Sequence, residues 1–347
     1  MKIILDAMGG DNAPKAVVEG AVKAARELDV DIVLVGREMD VNQCLAACGG
    51  QNEPRITVVN ATEVVTMEDD ASMACRRKKD SSMTVALNML KAGEGDAMVS
   101  AGSTGALRTG ATLFVKRIRG IRRAALGPVL PNGGKGVLLI DSGATADCTP
   151  EYLLQFAYMG AFYAERMMGC ENPRVALLNV GTEDTKGDDL RKEAFRLLTE
   201  ASQAGRINFV GNAEGSDLFT GKMDVIVADG FSGNVMLKTV EGAAKFLFGL
   251  IKGVMYSSTK NKLAALAIKK DLGGIKNMMD PSEVGGTLML GISKPVIKAH
   301  GSSDARAIYN AVRQAIAAVK ADVSGAIEAN INYMKLDKEK ETENHGI

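Results

Sequence analysis

Five short apolar runs in this chain each end in glycine mixed with Asp, Ser, Thr or Asn. They are IILDAMGGD from Ile3, AMVSAGSTGA from Ala97, VLLIDSGATAD from Val137, ALLNVGTED from Ala176 and VIVADGFSGN from Val225. An apolar run of four or five residues that stops at glycine is typical of a buried parallel strand followed by a sharp turn. Glycine lets a ligand approach the backbone closely, and small polar residues cap a following helix whose free N–H groups attract anions. The pattern predicts a crevice for a phosphate along one edge of a sheet.

Further strand-like runs start near Ile32, Ile56 and Ile207, and helical patterns separate most of the strands. This alternation predicts an α/β fold with a mainly parallel sheet covered on both faces. Residues 1–335 are expected to form a single α/β domain of two intertwined subdomains that share one sheet. Within it, a mainly helical segment is expected over about 234–290. The polar residues 336–347 are expected to form a C-terminal tail.

Composition narrows the function classes. The chain has 42 basic and 42 acidic residues, so no bulk attraction to nucleic acid is expected. Its five cysteines include no C-x-x-C pair and it has two histidines, so no metal site is expected. No G-x-G-x-x-G follows the first strand and no P-loop is present, so no nucleotide cofactor is expected. A strand at the N-terminus and the lack of a 20-residue apolar stretch predict a cytoplasmic protein.

Two of the turns are the best candidates for a phosphate site. SAGSTGA begins at Ser100, where a strand is expected to meet a helix, and KAHGSSDARA places His300 at the end of a short strand. Backbone N–H groups and hydroxyls at such turns can bind phosphate, and a histidine there can move a proton or bind an anion. The alternative for SAGSTGA is a tight strand–helix joint without a ligand. The alternative for His300 is a purely structural role. The candidate phosphate-binding residues are Ser100, Gly102, Ser103, Thr104, Gly105, Gly301, Ser302 and Ser303.

Other polar residues lie at the remaining strand ends. Asn234 and Lys238 lie one helical turn apart, and Lys186 stands beside a glycine in a loop. Each is a candidate for binding an anionic group, with a solvated loop or a helix cap as the alternative. The other strand-end candidates are Asp6, Gly9, Gly10, Asp11, Asp141, Asp229 and Gly230. Cys148 lies just past one of the turns.

Two basic segments suggest binding surfaces. The first follows SAGSTGA and favours the docking of an acidic partner, with a solvated helix face as the alternative. It consists of Lys116, Arg117, Arg119, Arg122 and Arg123. The second is amphipathic and favours contact with an anionic membrane or, alternatively, a dimer contact. It contains Lys262, Leu263, Leu266, Ala267, Lys269 and Lys270.

Seven motifs together resemble one family. They are DAMGGD, RRKKDSS, SAGSTGA, DSGATADCTPE, NVGTEDTKG, DGFSGN and KAHGSSDARAI, which run from Asp6 to about Ile308. In this order they resemble the phosphate acyltransferases that make acyl-phosphate from acyl-acyl-carrier-protein in bacterial phospholipid synthesis. The resemblance implies a three-layer α/β/α fold similar to isocitrate and isopropylmalate dehydrogenases and to phosphotransacetylase. It also implies a homodimer and peripheral association with the membrane.

The resemblance suggests roles for the candidates. Inorganic phosphate, held by the SAGSTGA and HGSSD turns, is expected to attack the thioester. Lys186, Asn234 and Lys238 are expected to polarise the carbonyl or the phosphate, and His300 to orient phosphate or protonate the leaving sulfur. The first basic segment is expected to dock the acyl carrier protein, and the second to contact anionic lipid. The rival hypotheses are a metal- and NAD-dependent decarboxylating dehydrogenase of the same fold, and a non-enzymatic membrane-associated scaffold for the carrier protein.

Overall fold

The computed structural model describes residues 1–278 and 285–334. The side chains of Ala267, of residues 269–273 and of residues 275–278 lie outside that description, as does the predicted tail over 336–347. The strands are β1 (Lys2–Asp6), β2 (Asp31–Gly36), β3 (Ile56–Asn60), β4 (Ala97–Ser100), β5 (Ala125–Leu126), β6 (Val129–Leu130), β7 (Val137–Ile140), β8 (Arg174–Leu178), β9 (Asn208–Ala213), β10 (Val225–Val227), β11 (Gly286–Leu290) and β12 (Val296–Ala299). The helices are α1 (Lys15–Glu27), α2 (Glu38–Ala47), α3 (Ala74–Arg77), α4 (Ser82–Ala92), α5 (Thr104–Gly110), α6 (Pro150–Met168), α7 (Asp189–Gln203), α8 (Gly230–Tyr256), α9 (Thr259–Met278), α10 (Ala305–Ala321) and α11 (Val323–Ala329).

The described strands form two sheets. The first has the order β3-β2-β1-β4-β12-β11-β5, and the second β6-β7-β10-β8-β9. Strands β3, β2, β1, β4 and β12 are parallel, as are β7, β10, β8 and β9. Antiparallel strands occur only at the edges of the described sheets, where β11, β5 and β6 lie. The predicted, mainly parallel α/β fold is confirmed.

The expectation of one shared sheet is wrong. Strand β5 pairs with β11 in the first sheet, whereas β6 pairs with β7 in the second. Gly127 and Pro128 separate them, and a proline has no N–H with which to continue a ladder. The chain leaves the first sheet after β5, builds the second and returns to the first at β11. The division into two intertwined subdomains stays a prediction.

Helices cover both faces of each sheet, so the three-layer α/β/α arrangement is confirmed. Side chains alternate along a strand, so Ile3 and Leu5 join the core beneath α1 and α10, whereas Ile4 joins the core beneath α4 and α5. The second sheet packs α6 and α7 on one face and the start of α8 on the other. The core that contains α1 and α10 continues to α6, where the Tyr163 hydroxyl accepts a hydrogen bond from Gln314 Nε2 at 2.7 Å.

Within the segment over about 234–290 that is predicted to be mainly helical, the described residues form most of α8, all of α9 and, at the end, a strand. Residues Gly286–Leu290 form β11, which pairs with β12 and β5. This five-residue run is too short to show helical periodicity. Its partner β5 lies far away along the chain, so local sequence gives little sign of the pairing.

The start of α8 is locked onto the loop that follows β7. The Gly230 N–H donates to the Thr145 carbonyl at 2.8 Å. A Cβ at Gly233 would overlap the carbonyl oxygen of Asp141, so only glycine lets the helix lie this close. Further along α8, Gly242 has open space where a Cβ would be. The two glycines therefore provide a matched pair on one helix.

We expect Gly233→Ala to destabilise the fold by about 3 kcal/mol, because backbone cannot move aside as a flexible side chain does. Gly242→Ala is expected to stabilise it by about 0.5–1 kcal/mol through helix propensity. Equilibrium unfolding in urea measures both. A Gly233→Ala protein as stable as the parent would contradict the close packing.

Candidate active site

Three loops of the first sheet meet at one place. Strands β1, β4 and β12 are parallel neighbours, so their carboxyl ends open at the same edge. The Asp11 N–H donates to the Gly301 carbonyl at 2.8 Å. A Cβ at Gly9 would lie 2.8 Å from the Gly102 nitrogen, so those two backbones touch. The structure therefore brings together both predicted phosphate-binding segments and the predicted residues from Asp6 to Asp11.

Asp6 supports the floor of this meeting point. Its side chain is buried and accepts hydrogen bonds from Ser82 Oγ at 2.6 Å and Ser100 Oγ at 2.7 Å. Ser100 Oγ in turn accepts the Gly102 N–H at 3.1 Å. Burial raises the pKa of the Asp6 carboxyl, against the opposing effect of the two hydroxyls, the Met8 N–H and Lys298. The carboxyl thus fixes the backbone of the SAGSTGA turn through Ser100.

Two serines of the predicted phosphate site have different environments. Ser103 caps α5, with its Oγ accepting the Ala106 N–H at 3.5 Å. Ser303 is 6% exposed, and its buried Oγ has no hydrogen-bond partner among the residues that the structure describes. A buried hydroxyl without a partner is costly, so Ser303 is suited to bind a ligand atom.

His300 is held as a neutral imidazole. Its Nδ1 accepts the Ser302 N–H at 3.2 Å and lies 2.8 Å from Ser302 Oγ. Because a backbone N–H only donates, Nδ1 is unprotonated and Nε2 carries the proton. Burial lowers the pKa of His300, and Lys238, Lys298 and Lys245 lower it further, whereas Glu241 opposes the shift. His300 is therefore a hydrogen-bond donor through Nε2 near neutral pH.

The second sheet contributes a second set of loops. Asp141 is fully buried after β7 and accepts N–H groups from Leu126 at 2.8 Å, Ala144 at 3.1 Å and Thr145 at 2.6 Å. Burial raises the pKa of this carboxyl, although the backbone N–H groups oppose the shift. Since Leu126 belongs to β5, Asp141 also ties this loop to the first sheet.

Asp229 and Arg191 organise the neighbouring loop. Asp229 caps α8 by accepting the Ser232 N–H at 2.9 Å. The Arg191 guanidinium binds the Asp229 carboxylate, Ser232 Oγ at 3.0 Å and Asp188 at 2.7 Å. Arg191 is not among the residues predicted from the sequence, although its place in the first turn of α7, after the cap Asp188, is a signal for such a role. Its charge neutralises acids that would otherwise repel an anion.

Lys186 lies in the adjoining loop after β8. Its carbonyl accepts a hydrogen bond from Asn179 Nδ2 at 3.1 Å, which fixes the backbone, while its side chain is half exposed. The Lys186 ammonium is 3.9 Å from Glu183. The loop thus presents a half-exposed cation beside a glutamate.

Two features connect the loops of the two sheets. Arg108, on α5, donates to the carbonyl of Ala144 in the loop after β7. Lys238, on α8, is close enough to His300 to lower its pKa, and its ammonium is 2.8 Å from Glu241. Arg108 was also missed, because nothing in its local sequence marks a contact across the crevice.

The four predicted catalytic residues thus come from both sheets, though not as a bonded cluster. Asn234 lies beside Gly143, where a Cβ would be 3.5 Å from Asn234 Oδ1. Within the described residues, no hydrogen bond joins any two of Lys186, Asn234, Lys238 and His300. Their roles in the reaction stay a prediction.

The first basic segment lies beside this crevice. The Arg122 N–H donates to Gln155 Oε1 at 2.8 Å, and the Arg123 guanidinium lies over the Tyr152 ring at 5.1 Å. Both partners belong to α6, which follows the loop after β7. Partial burial lowers the pKa of the Arg117 guanidinium, as do the neighbouring Arg123 and Arg122. The segment is a concentrated positive surface: Lys116, Arg119, Arg122 and Arg123 are exposed and Arg117 is half-buried.

Helices α8 and α9 expose an apolar surface away from the crevice. Leu263 and Leu266 are 65% and 66% exposed, and Lys262 beside them is exposed. The side chains of Ala267, Lys269 and Lys270 lie outside the described residues. The exposed apolar residues in the second half of α8 are Phe246, Leu247, Leu250, Ile251, Val254 and Tyr256. No helix in the described part of the chain is long and apolar enough to span a bilayer.

We expect His300 to titrate below the ordinary histidine pKa, and Lys238→Met to raise that pKa, because the Lys238 ammonium disfavours a second positive charge nearby. Glu241→Gln is expected to lower it. The chain has two histidines, so imidazole NMR with His345 as the internal control resolves the titration. A His300 pKa unmoved by Lys238→Met would contradict the proximity of α8 to the HGSSD turn.

Solved structures share this fold. A phosphotransacetylase from Streptococcus pyogenes has a TM-score of 0.61 at 20% identity, covering 93% of this chain and 94% of that protein. The EutD phosphotransacetylase from Staphylococcus aureus has a TM-score of 0.60 at 19% identity, covering 92% and 94%. At such identities the likeness shows the fold alone, and the fold likeness to phosphotransacetylase is confirmed.

Sequence comparison is more specific. The family model described as "Fatty acid synthesis protein" matches residues 1–326. A phosphate acyltransferase of Oceanobacillus iheyensis is 50% identical over 341 residues, covering 98% of this chain and 100% of the relative. A phosphate acyltransferase of Geobacillus thermodenitrificans is 50% identical over 333 residues, covering 95% and 99%. With this identity over nearly its whole length, the chain belongs to the phosphate acyltransferase family of enzymes.

Proposed function

We propose that this enzyme transfers a fatty acyl group from an acyl carrier protein thioester to inorganic phosphate and releases acyl-phosphate for glycerolipid synthesis. The observation that carries the proposal is the meeting of strand-end loops from both sheets around basic residues and the unpartnered Ser303 hydroxyl. Relatives named phosphate acyltransferase support the reaction type.

The reaction needs no protein nucleophile. A phosphate oxygen attacks the thioester carbon, the new C–O bond forms and the C–S bond breaks. The proton of HPO₄²⁻ ends on the departing thiol, so atoms and charges balance. Burial raises the pKa of the nearby Cys148 thiol to about 12, so that thiol remains protonated near neutral pH and is a poor nucleophile. Phosphate as the attacking group fits this environment.

The residues around the crevice are suited to this chemistry. The SAGSTGA and HGSSD turns hold phosphate through backbone N–H groups and the Ser303 hydroxyl. Lys186, Asn234 and Lys238 stabilise the negative charge that develops on the carbonyl oxygen or lies on phosphate. His300 donates from Nε2 to the phosphate or to the leaving sulfur, since Nδ1 is occupied by Ser302.

The carrier protein docks on the basic segment from Lys116 to Arg123. A carrier protein presents an acidic surface, and this positive segment lies beside the crevice at the start of α6. The carrier's phosphopantetheine arm then reaches the crevice from that side. The docking accounts for a cluster of exposed basic residues next to α6, where the Arg123 guanidinium lies over the Tyr152 ring.

The apolar surface of α8 and α9 contacts an anionic membrane. Leu263 and Leu266 are exposed beside Lys262, which combines apolar area with positive charge. A water-soluble enzyme that delivers acyl-phosphate to a membrane acyltransferase benefits from such proximity. A second copy of the chain is the alternative occupant of this exposed apolar surface. The homodimer implied by the resemblance is also part of the proposal.

The central test is release of thiol from palmitoyl carrier protein. We expect release to require phosphate and to fall about 100-fold in His300→Ala and in Lys238→Met, because each removes a donor or charge from the transition state. Lys91→Met, in the last turn of α4 and away from the crevice, serves as the control and is expected to retain the parent rate.

Phosphate-independent release, or no release, would reject the acyltransferase. Binding of the carrier protein without release would favour the scaffold hypothesis. Reduction of NAD with a hydroxy-acid substrate would favour the dehydrogenase.

A second test addresses the membrane. Burying one leucine side chain stabilises binding by about 2 kcal/mol, so Leu266→Glu is expected to weaken partitioning to anionic vesicles about 30-fold. Flotation with phosphatidylglycerol vesicles measures it, with phosphatidylcholine vesicles as the neutral comparison. Met39→Glu, at an 86% exposed position on α2, adds the same charge elsewhere and is expected to leave flotation unchanged. Equal flotation of both variants and the parent would contradict the assignment.

A further inference from the structure

Three polar residues form a row across the first sheet. Lys298 on β12 pairs with Ser100 on β4, and Leu5 on β1 pairs with Val99. The next residue along β1 is Asp6, so Asp6, Ser100 and Lys298 are successive neighbours across three parallel strands. They lie on one face because side chains alternate along a strand. The row beneath them on the same face is apolar and buried: Ile4, Met98 and Val296.

One end of the row is a buried carboxyl group. Asp6 is 2% exposed and is fixed by the hydroxyls of Ser82 and Ser100, both of which are neutral. A carboxylate in such a place requires a positive charge nearby to remain ionised. Lys298, at the other end of the row, supplies that charge: each of the two groups favours the charged form of the other.

The other end of the row faces the proposed phosphate site. Lys298 Nζ donates to the carbonyl of Ala101, in the SAGSTGA turn, at 3.4 Å and to the carbonyl of Ala299, next to His300. These two uncharged carbonyls accept hydrogen bonds from two of the three ammonium protons. Among the described residues, none accepts a hydrogen bond from the third. Lys186 and Lys238, in contrast, lie near Glu183 and Glu241 and are half exposed.

The charged groups around Lys298 come from three other elements. Asp6 on β1 and Asp11 in the following loop favour its ammonium form, whereas Lys238 on α8 opposes it. His300 follows two residues later and is held neutral. Burial lowers the pKa of Lys298 to about 8, so the ammonium predominates at neutral pH and is lost as the pH rises through that value.

We propose that Lys298 is a further phosphate-binding residue of this site, that its ammonium contacts the phosphate between the SAGSTGA turn and His300, and that Asp6 and Ser100 are positioning residues that hold it there. The assignment rests on the proposed function. A half-buried cation interacts with a dianion more strongly than an exposed one, because less water screens the pair. Lys298 therefore compensates phosphate charge in the ground state and continues to do so as the carbonyl oxygen becomes negative.

The test compares two lysines of the same strand region. Lys294 precedes β12, is also half-buried and donates to the Leu90 carbonyl at 2.8 Å, at the opposite end of the strand from the crevice. We expect Lys298→Met to weaken phosphate binding at least tenfold in equilibrium dialysis with labelled phosphate, and to raise the KM for phosphate by a similar factor. Lys294→Met is expected to change neither. Lys298→Arg is expected to recover part of the affinity.

Dialysis separates this inference from the proposed function. If the parent releases thiol with phosphate but Lys298→Met keeps its phosphate KM and affinity, the inference is wrong and the function stands. If the parent releases no thiol yet binds phosphate, and Lys298→Met abolishes that binding, the function is wrong and the phosphate contact stands. A parent that binds no phosphate, or equal losses in Lys294→Met and Lys298→Met, overturns the inference.

A pH series distinguishes positioning from general support of the fold. Affinity of the parent for phosphate is expected to fall as the pH rises through about 8, where Lys298 loses its proton. Asp6→Asn removes a group that favours the ammonium, so the same fall is expected at a lower pH. An Asp6→Asn protein that is merely less stable, with the fall at the parent's pH, would contradict the positioning role.

Discussion

The buried carboxyl of Asp141 joins the two sheets at the crevice. It accepts one N–H from Leu126 of the first sheet and two from its own loop, so this one side chain ties the two sheets together there. The Gly233 backbone lies against the Asp141 carbonyl, which adds α8 to the same joint. Each loop that borders the crevice is therefore placed by buried hydrogen bonds, which keep cations and hydroxyls in position before a substrate arrives.

Acidic and basic residues near this crevice occur in pairs. Asp229 and Arg191 pair beside the carboxyl ends of the strands of the second sheet, and Asp6 and Lys298 lie near the carboxyl ends of β1 and β12 in the first sheet. Asp229 and Asp6 each have a cation nearby, whereas Asp141 is held by backbone N–H groups. The field near His300 comes from Lys238, Lys298 and Lys245 and is opposed by Glu241. A positive field of this kind favours the approach of an anion.

Local sequence signals predicted much of the fold. The strands that start near Ile3 and at Val225 depend on neighbours within a few residues, and the structure has both of them. The separation into two sheets was not predicted, because it depends on the distant partners of β5 and β6. The glycine turns do lie at strand ends that the structure brings together, and their roles in the site stay a prediction. Arg108 and Arg191 were not predicted because their contacts cross between elements, while local periodicity describes a single element.

Helix α8 has consequences beyond its packing. It carries Asn234 and Lys238 near its start and exposed apolar residues near its end, with a rise of about 27 Å between Lys238 and Tyr256. A continuous helix is stiff, so the distance and rotation between these two ends are fixed by the number of turns. Adding one residue to the middle of α8 would turn the apolar end by about 100° relative to the crevice. The length of this helix thus sets the distance and orientation of the crevice relative to the molecule that binds the apolar end.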